Sequence, residues 1–187
     1  IYAYNSSGNS PLSNVIGLTT LAPPRTVLLT TESTAESYDG SVKGGSTADN
    51  FGTETSLRVG GNTAGGSVSS NVKTYLRFDL TGQTVTPTGA SLRLAVVQSG
   101  NLAQSGFTFT GALRMLPEAG DTWTEGGITW DNAPYNNPAT NGFQAGTISL
   151  GSFSISDPLG VPSLGTVVTI PVLASTLMTN KGANGVV

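Results

Sequence analysis

Four times the chain places a leucine, an arginine and an apolar residue in succession: Leu57-Arg58-Val59, Leu76-Arg77-Phe78, Leu92-Arg93-Leu94 and Leu113-Arg114-Met115. A guanidinium is a planar fork of N–H donors, and it meets a carboxylate in a two-pronged geometry that lysine does not reproduce. Alternate side chains of a strand face opposite ways, so each tripeptide, read as strand, buries two apolar groups and turns its cation outward. Arg58, Arg77, Arg93 and Arg114 are therefore candidate contacts for a ligand bearing carboxylates. They also have a plainer use. Asp79 shares a strand face with Arg77 and Glu54 lies close to Arg58 in sequence; cross-strand ion pairs of this sort contribute ~0.2–1 kcal/mol and need no ligand.

Other reactive types are few. Glu118, Asp121 and Glu125 cluster in sequence, and glycoside hydrolysis needs two carboxyl groups, but nearness is all that links these three. Asp39-Gly40, Asp49-Asn50 and Asp131-Asn132 offer oxygens to calcium, although turn formation is the ordinary reason for such pairs. No cofactor is expected, with calcium kept as the one option. Trp123 and Trp130 are rings of the type that stack on sugars when exposed and plug a core when buried.

Composition narrows the classes. The 187 residues include no cysteine and no histidine, which removes disulfides, thiolate chemistry and the commonest general base. Charged residues are only 10% of the chain, and hydroxyl, amide and glycine residues take their place, as in many secreted β-proteins. Eight basic residues and a net charge of −3 leave no basic tract to neutralise phosphates, so nucleic-acid binding is not expected. No run of about 18 apolar residues is present, so membrane insertion by a helix is not expected either. Ile1 to Asn5 do not open a signal peptide, and the expectation is a processed or excerpted chain.

The elements that must hold these side chains read as strands. Residues 1–21 alternate strand and turn, residues 22–26 around Ala22-Pro23-Pro24-Arg25 form a stiff spacer, and residues 27–187 form the main body. Within the body the expected strands are Val27–Thr31, Ser41-Val42, Ser56–Gly60, Thr74–Leu80, Ala90–Gln98, Phe107–Leu116, Ile128-Thr129, Gly146–Ser154 and Val167–Ile170. Val172–Asn180 reads as one short helix with Lys181-Gly182 as its stop. Many short strands with turn signals indicate an all-β fold, an antiparallel β-sandwich of jelly-roll type preceded by an extended strand or hairpin segment.

Two resemblances follow. Ala3-Tyr4-Asn5-Ser6-Ser7-Gly8-Asn9-Ser10, with Ser13-Asn14 and Thr19-Thr20, resembles the last two strands of a fibronectin type III domain. Asn50-Phe51-Gly52, Leu57-Arg58-Val59-Gly60, Tyr75-Leu76-Arg77-Phe78-Asp79-Leu80, Ala90-Ser91-Leu92-Arg93-Leu94 and the run Trp123-Thr124-Glu125-Gly126-Gly127-Ile128-Thr129-Trp130-Asp131-Asn132-Ala133-Pro134 together resemble the DNRLRE domain, a secreted β-sandwich grouped with carbohydrate-binding modules. That resemblance implies that the tryptophan run folds back onto the sandwich. Trp123 and Trp130 then become core plugs, with Glu125 and Asn132 bonding loop amides. Tyr135, Asn136 and Asn137, just beyond Pro134, become candidates for a wet, ligand-facing loop.

Family members of this kind imply a noncatalytic extracellular module, secreted or attached to the cell surface. Its expected partners are polysaccharide or cell-surface glycan, including anionic glycans such as alginate, and its expected roles are binding and adhesion. A second reading treats the chain as a filament subunit. The family's usual last strand is clipped here, and insertion of Leu12–Thr20 into the open edge of another copy would join copies head-to-tail.

Overall fold

The structure is a computed structural model describing residues 4–5, 8–9, 38–61, 68–96, 107–140, 142–157, 167–183 and 185. Its strands are β1 (Tyr4–Asn5), β2 (Gly8–Asn9), β3 (Tyr38–Lys43), β4 (Val72–Arg77), β5 (Ala90–Ala95), β6 (Phe107–Met115), β7 (Ile148–Asp157) and β8 (Val167–Val172), followed by the short helix α1 (Ala174–Asn180). Every pairing is antiparallel: β1 with β2, β3 with β4, β5 with β8, and β6 with β7. The all-β expectation is met, and the short α-helix lies where its signals put it. Among the described residues the strands pair by twos, which leaves the jelly-roll order as an expectation. The expected strand Val27–Thr31, the spacer and most of the fibronectin-like segment lie outside the described residues.

Period-two patterning explains β5 and β8. Leu92 and Leu94 face inward while Ser91, Arg93 and Ala95 are exposed, and in β8 Ile170 is buried between exposed Thr169 and Pro171. The β6–β7 hairpin follows the same rule. Phe109, Leu113 and Met115 turn inward, and Thr108, Thr110, Ala112 and Arg114 turn outward. A bulge between Leu113 and Arg114 leaves Leu150 as the extra residue, and Gly151 beside it takes φ +125°, a conformation glycine adopts without strain.

Strand β4 departs from the pattern. Arg77 is 8% exposed and Tyr75 is 6% exposed, on the same face, while Leu76 and Phe78 lie half-buried on the opposite face. The expectation that Arg77 points outward is corrected. Both faces of β3–β4 are covered, so the tyrosine and the two flanking apolar residues cannot all share one interior. Leu57-Arg58-Val59 is not strand either: Val59 is exposed, and Gly60 alone pairs, with Val72. Ile128-Thr129 lies in a turn, with the Ile128 N–H donating to the Thr124 carbonyl.

One cluster dominates the core. Val42 and Tyr75 from β3–β4 pack against Trp123, Ile128, Trp130 and Ala133 of the irregular segment 118–144, with Val68 and Leu116 at the margin. The tryptophan run is thus a second layer over the inner face of β3–β4. Both tryptophans are core plugs, Trp130 at 0% exposure and Trp123 at 8%.

Candidate functional site

Segment 118–144 has almost no regular structure, so side chains must satisfy its backbone groups. Three of them come from one face of β4, at alternate positions. The Arg77 guanidinium donates to the Trp123 carbonyl at 3.5 Å, the Tyr75 hydroxyl to the Pro134 carbonyl at 3.1 Å, and Lys73 Nζ to the Gly142 carbonyl at 2.6 Å and to Asn136 Oδ1 at 2.7 Å. Burial pushes the Tyr75 phenol up, which keeps it a donor. From the other side, Asn50 Nδ2 donates to the Glu125 and Ile128 carbonyls, both at 2.7 Å. Gly52 is needed next to it, because a Cβ there would overlap the Glu125 carbonyl oxygen. Asn132 closes the turn, accepting from the Thr129 N–H at 2.7 Å and donating to the Gly127 carbonyl at 2.9 Å. Glu125 enters this network through its backbone carbonyl.

Asn136 belongs to this interior. It is 1% exposed, its Nδ2 donates to the Trp130 carbonyl at 2.6 Å, and the expectation that it faces a ligand is corrected. The loop turns back on itself here, and the Trp130 carbonyl, sealed from water, needs an internal donor. Tyr135 is half-buried, its ring seated between Gly120 and Gly146, and it holds φ +55°. Lys73 Nζ lies 4.8 Å from the Trp130 ring centre and 4.5 Å from that of Phe143. Burial lowers the Lys73 amine to about 8, against the pull of two carbonyl oxygens and two ring faces that favour the ammonium.

The outward arginines are spread over three surfaces. Arg58 is paired with Glu54 at 2.7 Å. Arg93 stands on the outer face of β5–β8, opposite Thr169, with no acid at ion-pair distance among the described residues. Arg114 stands on the outer face of β6–β7 opposite Ser149, also without an acid partner among the described residues. It donates to Thr147 Oγ1 at 3.2 Å and lies 5.7 Å from the Phe143 ring centre. Thr110, Ser152 and Ser154 continue the exposed face as a run of hydroxyls, two of them 3.1 Å apart. Neither Phe143 nor Thr147 carried a functional signal in the sequence: Phe143 is a lone ring between Gly142 and Gln144, and Thr147 is one threonine of an expected strand.

A depression of about 250 Å³ opens beside the tryptophan turn, lined by Trp123, Ile128, Pro134, Thr122, Thr124 and Asn132 among others, with no carboxylate side chain in its wall. The clustered acids are used separately: Glu118 accepts from the Ala183 N–H at 2.7 Å, and Asp121 is buried. Among the described residues no three acidic side chains gather as metal ligands. Asn50 and Asn132, two of the expected calcium donors, have their amides engaged in the loop clamp.

Comparison with curated proteins gives no match to the chain. A family model described as carbohydrate-binding module family 96 matches residues 30–150, a span that contains β3 through β6, the tryptophan turn and its clamp. With well over half its length matched, the chain belongs to carbohydrate-binding module family 96.

Proposed function

We propose that the chain is a noncatalytic module that holds polysaccharide on the outer faces of its strand pairs, with Arg114 and Arg93 reading the carboxylates of an anionic glycan. The observation that carries this reading is Arg114: exposed, without an acid partner among the described residues, beside the half-exposed Phe143 ring and a run of serine and threonine hydroxyls. A cation already in water and mounted on a strand can meet a carboxylate at little desolvation cost. Hydroxyls around it suit the rest of a sugar ring. Arg58, neutralised by Glu54, contributes less. An extracellular, glycan-facing or adhesive setting goes with this function, and the DNRLRE-like and fibronectin-like readings of the chain's two parts belong to the same proposal.

A charge-assisted hydrogen-bonded contact is worth ~1.5–3 kcal/mol, and each ~1.4 kcal/mol is tenfold in affinity. Affinity electrophoresis through alginate, polygalacturonate and a neutral glucan tests the reading. Retention on an anionic gel that weakens tenfold or more with Arg114→Ala, and falls with added salt, is the expected result. Retention on the neutral glucan alone, or indifference to Arg114→Ala and Arg93→Ala together, would end the arginine assignment.

A further inference from the structure

Lys73 and Asn136 form a pair that glycan binding does not use. They come from elements 63 residues apart, β4 and the loop after the tryptophan turn, and meet with Lys73 Nζ 2.7 Å from Asn136 Oδ1. The amine thus touches the carbonyl oxygen of the amide whose carbon Cγ it would attack. The amide side of the pair is sealed, with Asn136 1% exposed and Trp130 0% exposed, while the lysine is half-buried and reaches it from the margin of the loop. Each nitrogen is also aimed: Asn136 Nδ2 is held on the Trp130 carbonyl and Lys73 Nζ on that of Gly142.

We propose that Lys73 and Asn136 are the two halves of an intramolecular isopeptide cross-link, formed by attack of the lysine amine on the asparagine amide. The neutral Nζ adds to Cγ. A proton passes from Nζ to Nδ2 in the tetrahedral adduct, the Cγ–Nδ2 bond breaks, and ammonia leaves. One amide replaces another, nothing is oxidised or reduced, and no co-reactant enters. Burial lowers the amine to about 8, so the neutral, nucleophilic form is a minor species at neutral pH and becomes the major one above that value. Holding the amine against the amide carbonyl raises its local concentration there, and a small rotation of the lysine side chain off Oδ1 would bring Nζ over Cγ. No carboxylate bonds to either residue among the described contacts, so the bond forms over the protein's maturation and not in a rapid catalysed step. The product ties β4 to the loop that plugs the core, in a chain without cysteine.

The test is the intact mass of the full chain after incubation above the amine's value of about 8. The expected mass is lower by one ammonia, trypsin does not cut after Lys73, and a branched peptide carries residues 73 and 136 together. Lys73→Met and Asn136→Ala each restore the full mass, with tryptophan fluorescence showing that the core is formed. An unmodified mass with normal cleavage after Lys73 overturns the proposal. So does an ammonia loss that persists in Lys73→Met, because succinimide formation at Asn141-Gly142 or Asn184-Gly185 gives the same mass change.

Discussion

Removing the Asn50 amide should loosen the whole tryptophan layer, by an amount its contacts allow to be worked out. Asn50 makes two short bonds to carbonyls, of Glu125 and Ile128, and accepts from the Gly52 N–H at 3.2 Å. A typical internal hydrogen bond contributes ~0.5–1.5 kcal/mol net, and a stranded buried acceptor costs ~1–3 kcal/mol. The Glu125 carbonyl is near solvent and water will replace its lost donor, which sets its share at the low end. Ile128 is 1% exposed, so its carbonyl lies at the high end. Asn50→Ala should therefore destabilise by about 2 kcal/mol, a fall in Tm of roughly 4–8 °C for a chain of this size.

The companion Asn50→Asp isolates chemistry from shape. A carboxylate would face the same two carbonyl oxygens, so its folded pKa is raised above the unfolded ~3.9. A group raised in this way supports the fold below the unfolded value, where its O–H still donates. That support is lost as pH rises through the folded value. The Asp variant should then lie nearest the parent in acid and fall further below it toward neutral pH. Urea unfolding followed by the fluorescence of the two tryptophans, both in the clamped layer, reads the difference. If both variants stay within ~0.5 kcal/mol of the parent, the size of a neutral surface change, the clamp argument is wrong.

Gly52→Ala should cost about 1–3 kcal/mol in the same assay, since its Cβ would overlap backbone that cannot move away; unchanged stability would mean the two loops are not in contact. In chain of full mass, Lys73 binds its proton less tightly when folded, at about 8 against an ordinary 10.5, so the unfolded state holds more protons between those values and stability rises with pH across that window. Flat stability there would show that the aromatic and carbonyl cage cancels the burial.

The sequence was most legible where a strand has one wet face. Leu92-Arg93-Leu94 and Leu113-Arg114-Met115 alternate against solvent, and their arginines stand outward as the period-two rule requires. The same tripeptide at Leu76-Arg77-Phe78 misleads because β4 is covered on both faces. Period two says which residues share a face. It does not say which face is wet, and the choice went to Tyr75 against Trp123, whose ring centres are 6.0 Å apart. Asn136 departs from its expected place for a related reason. Polar residues after a proline are usually solvated, but a loop used as a core layer must provide its own donors and acceptors. Ile128-Thr129 has β-branched residues, yet Gly126-Gly127 before them and the Asn132 side chain after them impose turns that no strand ladder supports.

Phe143 connects the clamped loop to the outer face of β6–β7. Two cations lie near its ring, Lys73 Nζ at 4.5 Å from the ring centre and the Arg114 guanidinium at 5.7 Å. The ring is brought there by the bridge pairing Asn136 with Phe143, so the residue that receives Lys73 also sets the height of the plate beneath Arg114. An acylated Lys73 would lose its charge and leave Arg114 as the single cation on that ring. The ring would then be tied to β4 by a covalent bond, and the proposed glycan contact of Arg114 would be made without a second positive charge near the same ring.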